Sequence, residues 1–249
     1  MCIRDSIHLD VLDLGSYHES MNQSLIAISL CFVLSACSQN DGKTILTSTL
    51  AAPEHYKVEF ENEYVRIIRV RYGPGESSAM HSHESFVGVT LTGGQSNFTG
   101  LDGTSEIRPA GRPGDIIDGD LNPHAVLSVS ELEQESVFVE IKRRYPATDQ
   151  NTPNAVEADP GNAKIELERS DIRVVRIKSP AGHETPVHSH KAGVSVALTD
   201  MNVAATSASG EVTEMKRLAG DAAWSEARGA HRGKNLSDKP LEVIFFELL

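Results

Sequence analysis

Gly75-Glu76-Ser77-Ser78-Ala79-Met80-His81-Ser82-His83 is followed, 107 residues later, by Gly182-His183-Glu184-Thr185-Pro186-Val187-His188-Ser189-His190. The same offset relates Val65-Arg66-Ile67-Ile68-Arg69-Val70 to Ile172-Arg173-Val174-Val175-Arg176-Ile177, His124 to His231, and Val137-Phe138-Val139-Glu140 to Ile244-Phe245-Phe246-Glu247. Recurrence at one fixed spacing is the signature of a repeated structural unit. The chain therefore reads as a tandem duplication, residues 55–142 and 163–249, joined by a linker over 143–162 rich in Pro, Asn, Asp and Thr.

Within each copy, β-branched runs about ten residues apart are punctuated by Gly, Pro, Asn and Asp, and no helix-period segment competes. That pattern predicts an all-β sandwich or barrel. In an extended strand residues i and i+2 share a face, so His81 and His83 project together, as do His188 and His190. A third histidine, His124 or His231, follows 41 residues after the second in each copy, far enough for hairpins to carry another strand across the barrel. Three imidazoles from two strands occupy one side of an ion and leave the other open, as catalytic rather than structural sites do. The predicted metal ligands are thus His81, His83 and His124 in one copy, and His188, His190 and His231 in the other.

Each copy resembles a cupin, and the whole a bicupin of the RmlC-like superfamily. The family's first motif, Gly, five residues, His-x-His, is matched at Gly75 to His83 and at Gly182 to His190; its Glu slot, read three residues on, holds Val87 and Val194. The trailing Gly is kept as Gly94 and replaced by Met201. The second motif is kept at Gly220, His231 and Asn235, with Glu226 and Arg228 in place of its Pro and Gly. In the first copy Gly114 stands one residue nearer to His124, and Ser128 takes the Asn slot. The phrasing is similar to that of small bacterial cupins of the type named for β-alanine degradation.

The resemblance implies two jelly-roll (double-stranded β-helix) barrels with a divalent ion, Fe, Mn, Zn or Ni, in each. Without the family's carboxylate, three neutral ligands leave the ion close to its full charge, which favours a small anionic molecule as partner. Three readings stay open: a dioxygenase-like oxidoreductase, a non-catalytic metal- or ligand-binding lipoprotein, and a non-redox isomerase. No catalytic residue is identified. Glu84, Asp118 and Asp120 are candidates for a base, His183 and Trp224 for the pocket mouth, and Arg66, Arg69, Arg173 and Arg176 for substrate binding or for pairing with acids such as Glu140 and Glu247.

Composition narrows the partners. The chain has 249 residues and a net charge of −12, a balance that repels phosphate backbones and argues against nucleic acid. All three cysteines, Cys2, Cys31 and Cys37, precede the repeat, which excludes disulfides and cysteine nucleophiles from it. Residues 21–37, MNQSLIAISLCFVLSAC, resemble a lipoprotein signal ending in Leu34-Ser35-Ala36-Cys37, although no Lys or Arg precedes the apolar run. This implies a lipid anchor at Cys37, a tether over 38–54, and a place on the periplasmic side of the envelope as an outer-membrane lipoprotein. Residues 1–20, beginning MCIRDS, read as an artefactual or non-native leader.

Overall fold

A computed structural model describes residues 44–119, 121–146 and 151–249. The leader, the signal with Cys37, and Asp120 lie outside the described residues. The first copy comprises α1 (Ser48–Ala51), β1 (Tyr56–Glu61), β2 (Val65–Tyr72), β3 (Phe86–Thr90), β4 (Ser96–Gly100), β5 (Ser105–Ile107), β6 (Ile116–Asp118), β7 (His124–Ser128) and β8 (Gln134–Ile141). In the second are α2 (Ala155–Ala158), β9 (Ala163–Glu168), β10 (Ile172–Ser179), β11 (His188–His190), β12 (Gly193–Ala197), β13 (Met201–Ser207), β14 (Val212–Arg217), β15 (Ala222–Ser225), β16 (Arg228–Asn235) and β17 (Leu241–Leu248).

The two copies share one topology. Five strands form one sheet in the order β1-β2-β8-β3-β6, matched by β9-β10-β17-β12-β15; a second sheet, β5-β4-β7, is matched by β14-β13-β16 with β11 added at its edge. All the pairings between these strands are antiparallel. The fold is a pair of tandem β-barrels, the all-β architecture the repeat predicted and the cupin resemblance implied.

The inner strands of the large sheets are buried on both faces, which explains why they read as near-continuous apolar runs, whereas the edge strands β1 and β9 are mostly exposed. In β2, Val65 and Ile67 point one way and Ile68, Val70 and Tyr72 the other. The first set joins Val87, Val89, Val137 and Val139 in one cluster with Ile172, Val174, Val194, Val196, Ile244 and Phe246 of the other barrel. The second set faces its own barrel. Alternate residues of a single strand therefore serve two interfaces, one within a barrel and one between barrels.

Reciprocal arginines edge this interface. Arg69 donates to the carbonyl of Gly220 at 2.8 Å, and Arg176 to that of Gly114. Both glycines adopt left-handed φ, +90° and +87°, at the turns leading into β15 and β6. The motif glycine thus shapes a turn whose carbonyl receives the neighbouring barrel. Arg69 also pairs with Glu59 and Glu135, and Arg176 with Glu166 and Glu242. Arg66 pairs with Glu61 and Glu140, and Arg173 with Glu168 and, at 3.9 Å, Glu247. These four arginines tie strands and barrels together, which is the ion-pairing alternative of the two expected for them.

Two expectations about the connections are corrected. Residues 47–54, expected to belong to a free tether, are built into the first barrel: Thr47 bridges Ser82 in parallel, Ser48 donates to the Ser82 carbonyl, and Ser48 and Ala52 are fully buried. The expected linker 143–162 likewise contains α2, whose Asn154 bridges Ser189 and closes a capping box with Glu157. Asn154 stands 107 residues after Thr47, so the repeat begins earlier than its apolar pattern shows. Both straps are too short to show apolar periodicity: each adds a backbone bridge along the His-Ser-His segment and buries a single alanine, Ala52 or Ala155.

Candidate metal centres

His81, His83 and His124 bring one nitrogen each to within 4.8 Å of one another, and His188, His190 and His231 do the same. Local pairing explains the convergence. His81 bridges His124 across an antiparallel pair, and His188 lies opposite His231 in the β11–β16 register. Gly75 and Gly182, at φ +73° and +68°, make the turns from which each His-x-His segment returns. All six ligands predicted from sequence are therefore placed in two clusters of three.

The tautomers are set by the backbone. Nδ1 lies 2.8 Å from the Ala79 carbonyl in His81, from Asn122 in His124, from Pro186 in His188 and from Gly229 in His231. A carbonyl oxygen only accepts, so Nδ1 carries the proton and Nε2 presents its lone pair to the cluster. His190 Nδ1 is 3.4 Å from Glu247 Oε1, whose residue is buried behind the site. In the first barrel the equivalent Glu140 is also buried, and burial raises its pKa against the opposing effect of Arg66.

Burial pushes His81 down to about 4, with its Ala79 bond opposing and His124 adding to the effect. Burial likewise lowers His231 to about 4, and it lowers His188. Neutral imidazole is the form that ligates metal, so these rings are ready donors at pH 7. A divalent ion fits the residues present. His81 Nε2 is buried with no hydrogen-bond partner, and the Nε2 atoms of His188 and His190 are 3.1 Å apart. Two ligands at right angles, each ~2.1 Å from one ion, sit ~3.0 Å apart.

The cavities beside the clusters differ. The first, about 250 Å³, has aromatic walls from Tyr56, Tyr72, Phe86, Phe98 and Phe138, with Arg108 stacked 4.1 Å over Phe98. The second, about 160 Å³, replaces Tyr56 and Phe98 by Ala163 and Ala205, of which only Ala205 lines it, and adds Ser195, Arg217 and Arg228. Ser195 and Arg217 carry no motif signal, and Arg228 stands in the sequence only as the residue replacing the second motif's Gly. Strand parity was the available clue, since Ser195 is out of phase with Val194 and Val196.

That parity corrects the reading of the Glu slot. Val87 and Val194 are completely buried in the cluster between barrels and point away from the histidines, while Phe86 and Ser195 face the cavities. The positions on the pocket side are Phe86 and Gly88 in β3, and Gly193 and Ser195 in β12. None carries a carboxylate, so the sites have three histidines and no acid from this strand.

Among the remaining candidates, Asp118 lines the first cavity and pairs with Arg169 at 3.2 Å, whereas Glu84 is exposed. His183 leaves the pocket mouth and binds Asp159 at 2.8 Å and Asn162. Trp224 packs against the cluster between barrels, stacks with Tyr64 and donates to Glu226. Its strand parity, shared with Ala222, turns it to the interface rather than the pocket. The Asn slot is structural: Asn235 is buried and its amide serves the carbonyls of Ser179, Pro180 and Lys239.

No protein-family profile matches the sequence, and no curated protein matches it. Solved structures do match. AerE from Microcystis aeruginosa is similar over 78% of this chain and 97% of its own, with 18% identity and a TM-score of 0.53. A single-residue mutant of Bacillus subtilis oxalate decarboxylase OxdC is similar over 75% of this chain and 69% of its own, with 13% identity and a TM-score of 0.52. Another structure of that enzyme, whose subject is its Mn(II) centres, covers the same shares with 12% identity and a TM-score of 0.50. At these identities the likeness establishes the fold, a two-barrel cupin.

Proposed function

We propose that the protein is a metal-dependent cupin of the bacterial envelope that binds a small anionic molecule and acts on it as a dioxygenase-like oxidoreductase. The observation that carries this reading is the pair of three-histidine clusters, in each of which three ring nitrogens lie within 4.8 Å of one another. The fold neighbour with Mn(II) centres supports a divalent ion. Such an ion would be held by His81, His83 and His124 or by His188, His190 and His231, and would supply Lewis acidity together with, for iron or manganese, redox reactivity.

The chain's own residues do the rest. Three neutral ligands leave the charge at the centre uncompensated, so an anion is the favoured occupant of the open side. The carbonyl bonds to Nδ1 fix ring orientation, and Val203, Leu241 and Val243 give the second cavity an apolar wall. No Asp or Glu lines that cavity among the described residues. Arginine does not act as a base at neutral pH, so a proton-shuttling isomerase has little support there. The same observation favours, as the second reading, a protein that binds metal and ligand without turnover.

Elemental analysis of the full chain, combined with oxygen uptake over a panel of small carboxylic acids, tests the reading. Two ions per chain and uptake with at least one acid are expected. Less than one ion per chain would overturn metal dependence; full occupancy without oxygen uptake would leave the binding role. The envelope location rests on Leu34-Ser35-Ala36-Cys37, and a mass spectrum of an unmodified Cys37 in bacterially expressed protein would overturn it.

A further inference from the structure

The second cavity holds more positive charge than a three-histidine centre needs. Arg217, at the end of β14, and Arg228, at the start of β16, both line it beside His188, His190 and His231. Arg217 is half-buried, and its one hydrogen bond among the described residues goes to Ser195 Oγ at 2.6 Å. Neither arginine forms an ion pair among the described residues, although Arg66, Arg69, Arg71, Arg169, Arg173 and Arg176 all do. Burying a guanidinium without an anion is costly unless something anionic arrives.

Among the described residues the walls supply no such anion; Asp221, outside the lining, acts on Arg217 at a distance without forming an ion pair. Among the described residues the lining contains two arginines, three histidines and no carboxylate, with Met201 and Met215 among its apolar members. At ~15 Å³ of accessible space per water, a cavity of about 160 Å³ has room for roughly ten water-sized groups, which limits the ligand to a small molecule. The planar guanidinium fork matches a carboxylate in two-point geometry, and Ser195 beside it accepts from Arg217 and spends its own proton on the Ala223 carbonyl at a long 3.4 Å, a bond a carboxylate oxygen can replace.

We propose that the second barrel is a carboxylate-binding pocket in which Arg217 and Ser195, with Arg228, anchor a carboxylate separately from the histidine cluster. The ligand class is a small organic acid with two acidic or oxygen-donor groups, one held by the arginines and the other directed to the histidines. The first barrel does not share this arrangement: its cavity is aromatic, holds one arginine stacked on Phe98, and contains the carboxylate of Asp118. The inference deepens the proposed function by naming the ligand class and its anchor, and it rests on the anion-binding part of that reading.

Malonate is a suitable probe, with malonamide as its neutral control. Calorimetric titration of the Mn(II)-loaded full chain is expected to show malonate binding that Arg217→Met weakens at least tenfold, with manganese content unchanged. Arg217→Lys, which keeps charge but loses the fork, is expected to fall between them, and Ser195→Ala gives a second, sterically mild variant should Arg217→Met not fold. Metal-free protein should retain weaker binding that still depends on Arg217. Malonate affinity unchanged in a folded Arg217→Met protein, malonamide binding as tightly as malonate, or no binding by the parent at 10 mM would each overturn the anchor. Failure of the metal reading looks different: no manganese is retained, yet Arg217-dependent malonate binding survives.

Discussion

Acidification of the metal-free protein should destabilise it, with buried Glu140, whose pKa burial raises, opposing the loss in part. His81 and His231 have folded pKa values near 4, against an ordinary value of 6.5, because burial disfavours their charged forms. The unfolded chain therefore binds more protons between these limits, and stability must fall as pH falls. Linkage from 6.5 to 4 makes the loss by pH 4.5 about 2.5 kcal/mol for each ring, or about 5 kcal/mol for the two in separate barrels. Glu61, held down to about 2 chiefly by hydrogen bonds from Arg66 and Lys142, loses its contribution as pH falls from 4.5 toward 2, below this window. Urea unfolding in EDTA at pH 7.5, 6.5, 5.5 and 4.5 measures the slope. Replacing both rings by Gln should remove most of it, and added divalent metal should steepen it, because protons and metal compete for Nε2. A metal-free parent whose stability is flat from pH 6.5 to 4.5 would refute the assignment of these rings as buried and neutral.

Strand parity gives a paired test: Val194→Glu places an unpaired carboxylate between the barrels and should cost several kcal/mol in thermal or urea unfolding, whereas Ser195→Glu should fold and alter metal affinity. Equal stability of the two variants would reverse the assigned faces. His231→Ala should halve the metal content and leave the first site loaded, since the clusters share no ligand; loss of both ions by elemental analysis would contradict this. Asn235→Ala removes three amide donations, the one to the buried Ser179 carbonyl among them, and should destabilise by ~1–3 kcal/mol in urea melts with little change in metal content, marking the motif asparagine as structural.

The repeat, the all-β class and the six histidines were legible in the sequence because each depends on local pattern. The 107-residue offset survives divergence, alternation puts both residues of His-Ser-His on one side, and the third histidine keeps its spacing. The straps at Thr47 and Asn154 were not legible, since backbone pairing leaves little trace in side-chain periodicity. Nor was the face of Val87, because Phe86-Val87-Gly88-Val89 carries no polar residue to give a direction; in β12 only Ser195 marks one face, without saying which sheet it meets. Only packing of one large sheet against the other decided which residues look inward. The same packing turned Ser195 to the histidines, while Arg217 and Arg228 reached that cavity from two further strands. A constellation drawn from three strands of a barrel has no short-range signature, because its members meet only after the sheets close.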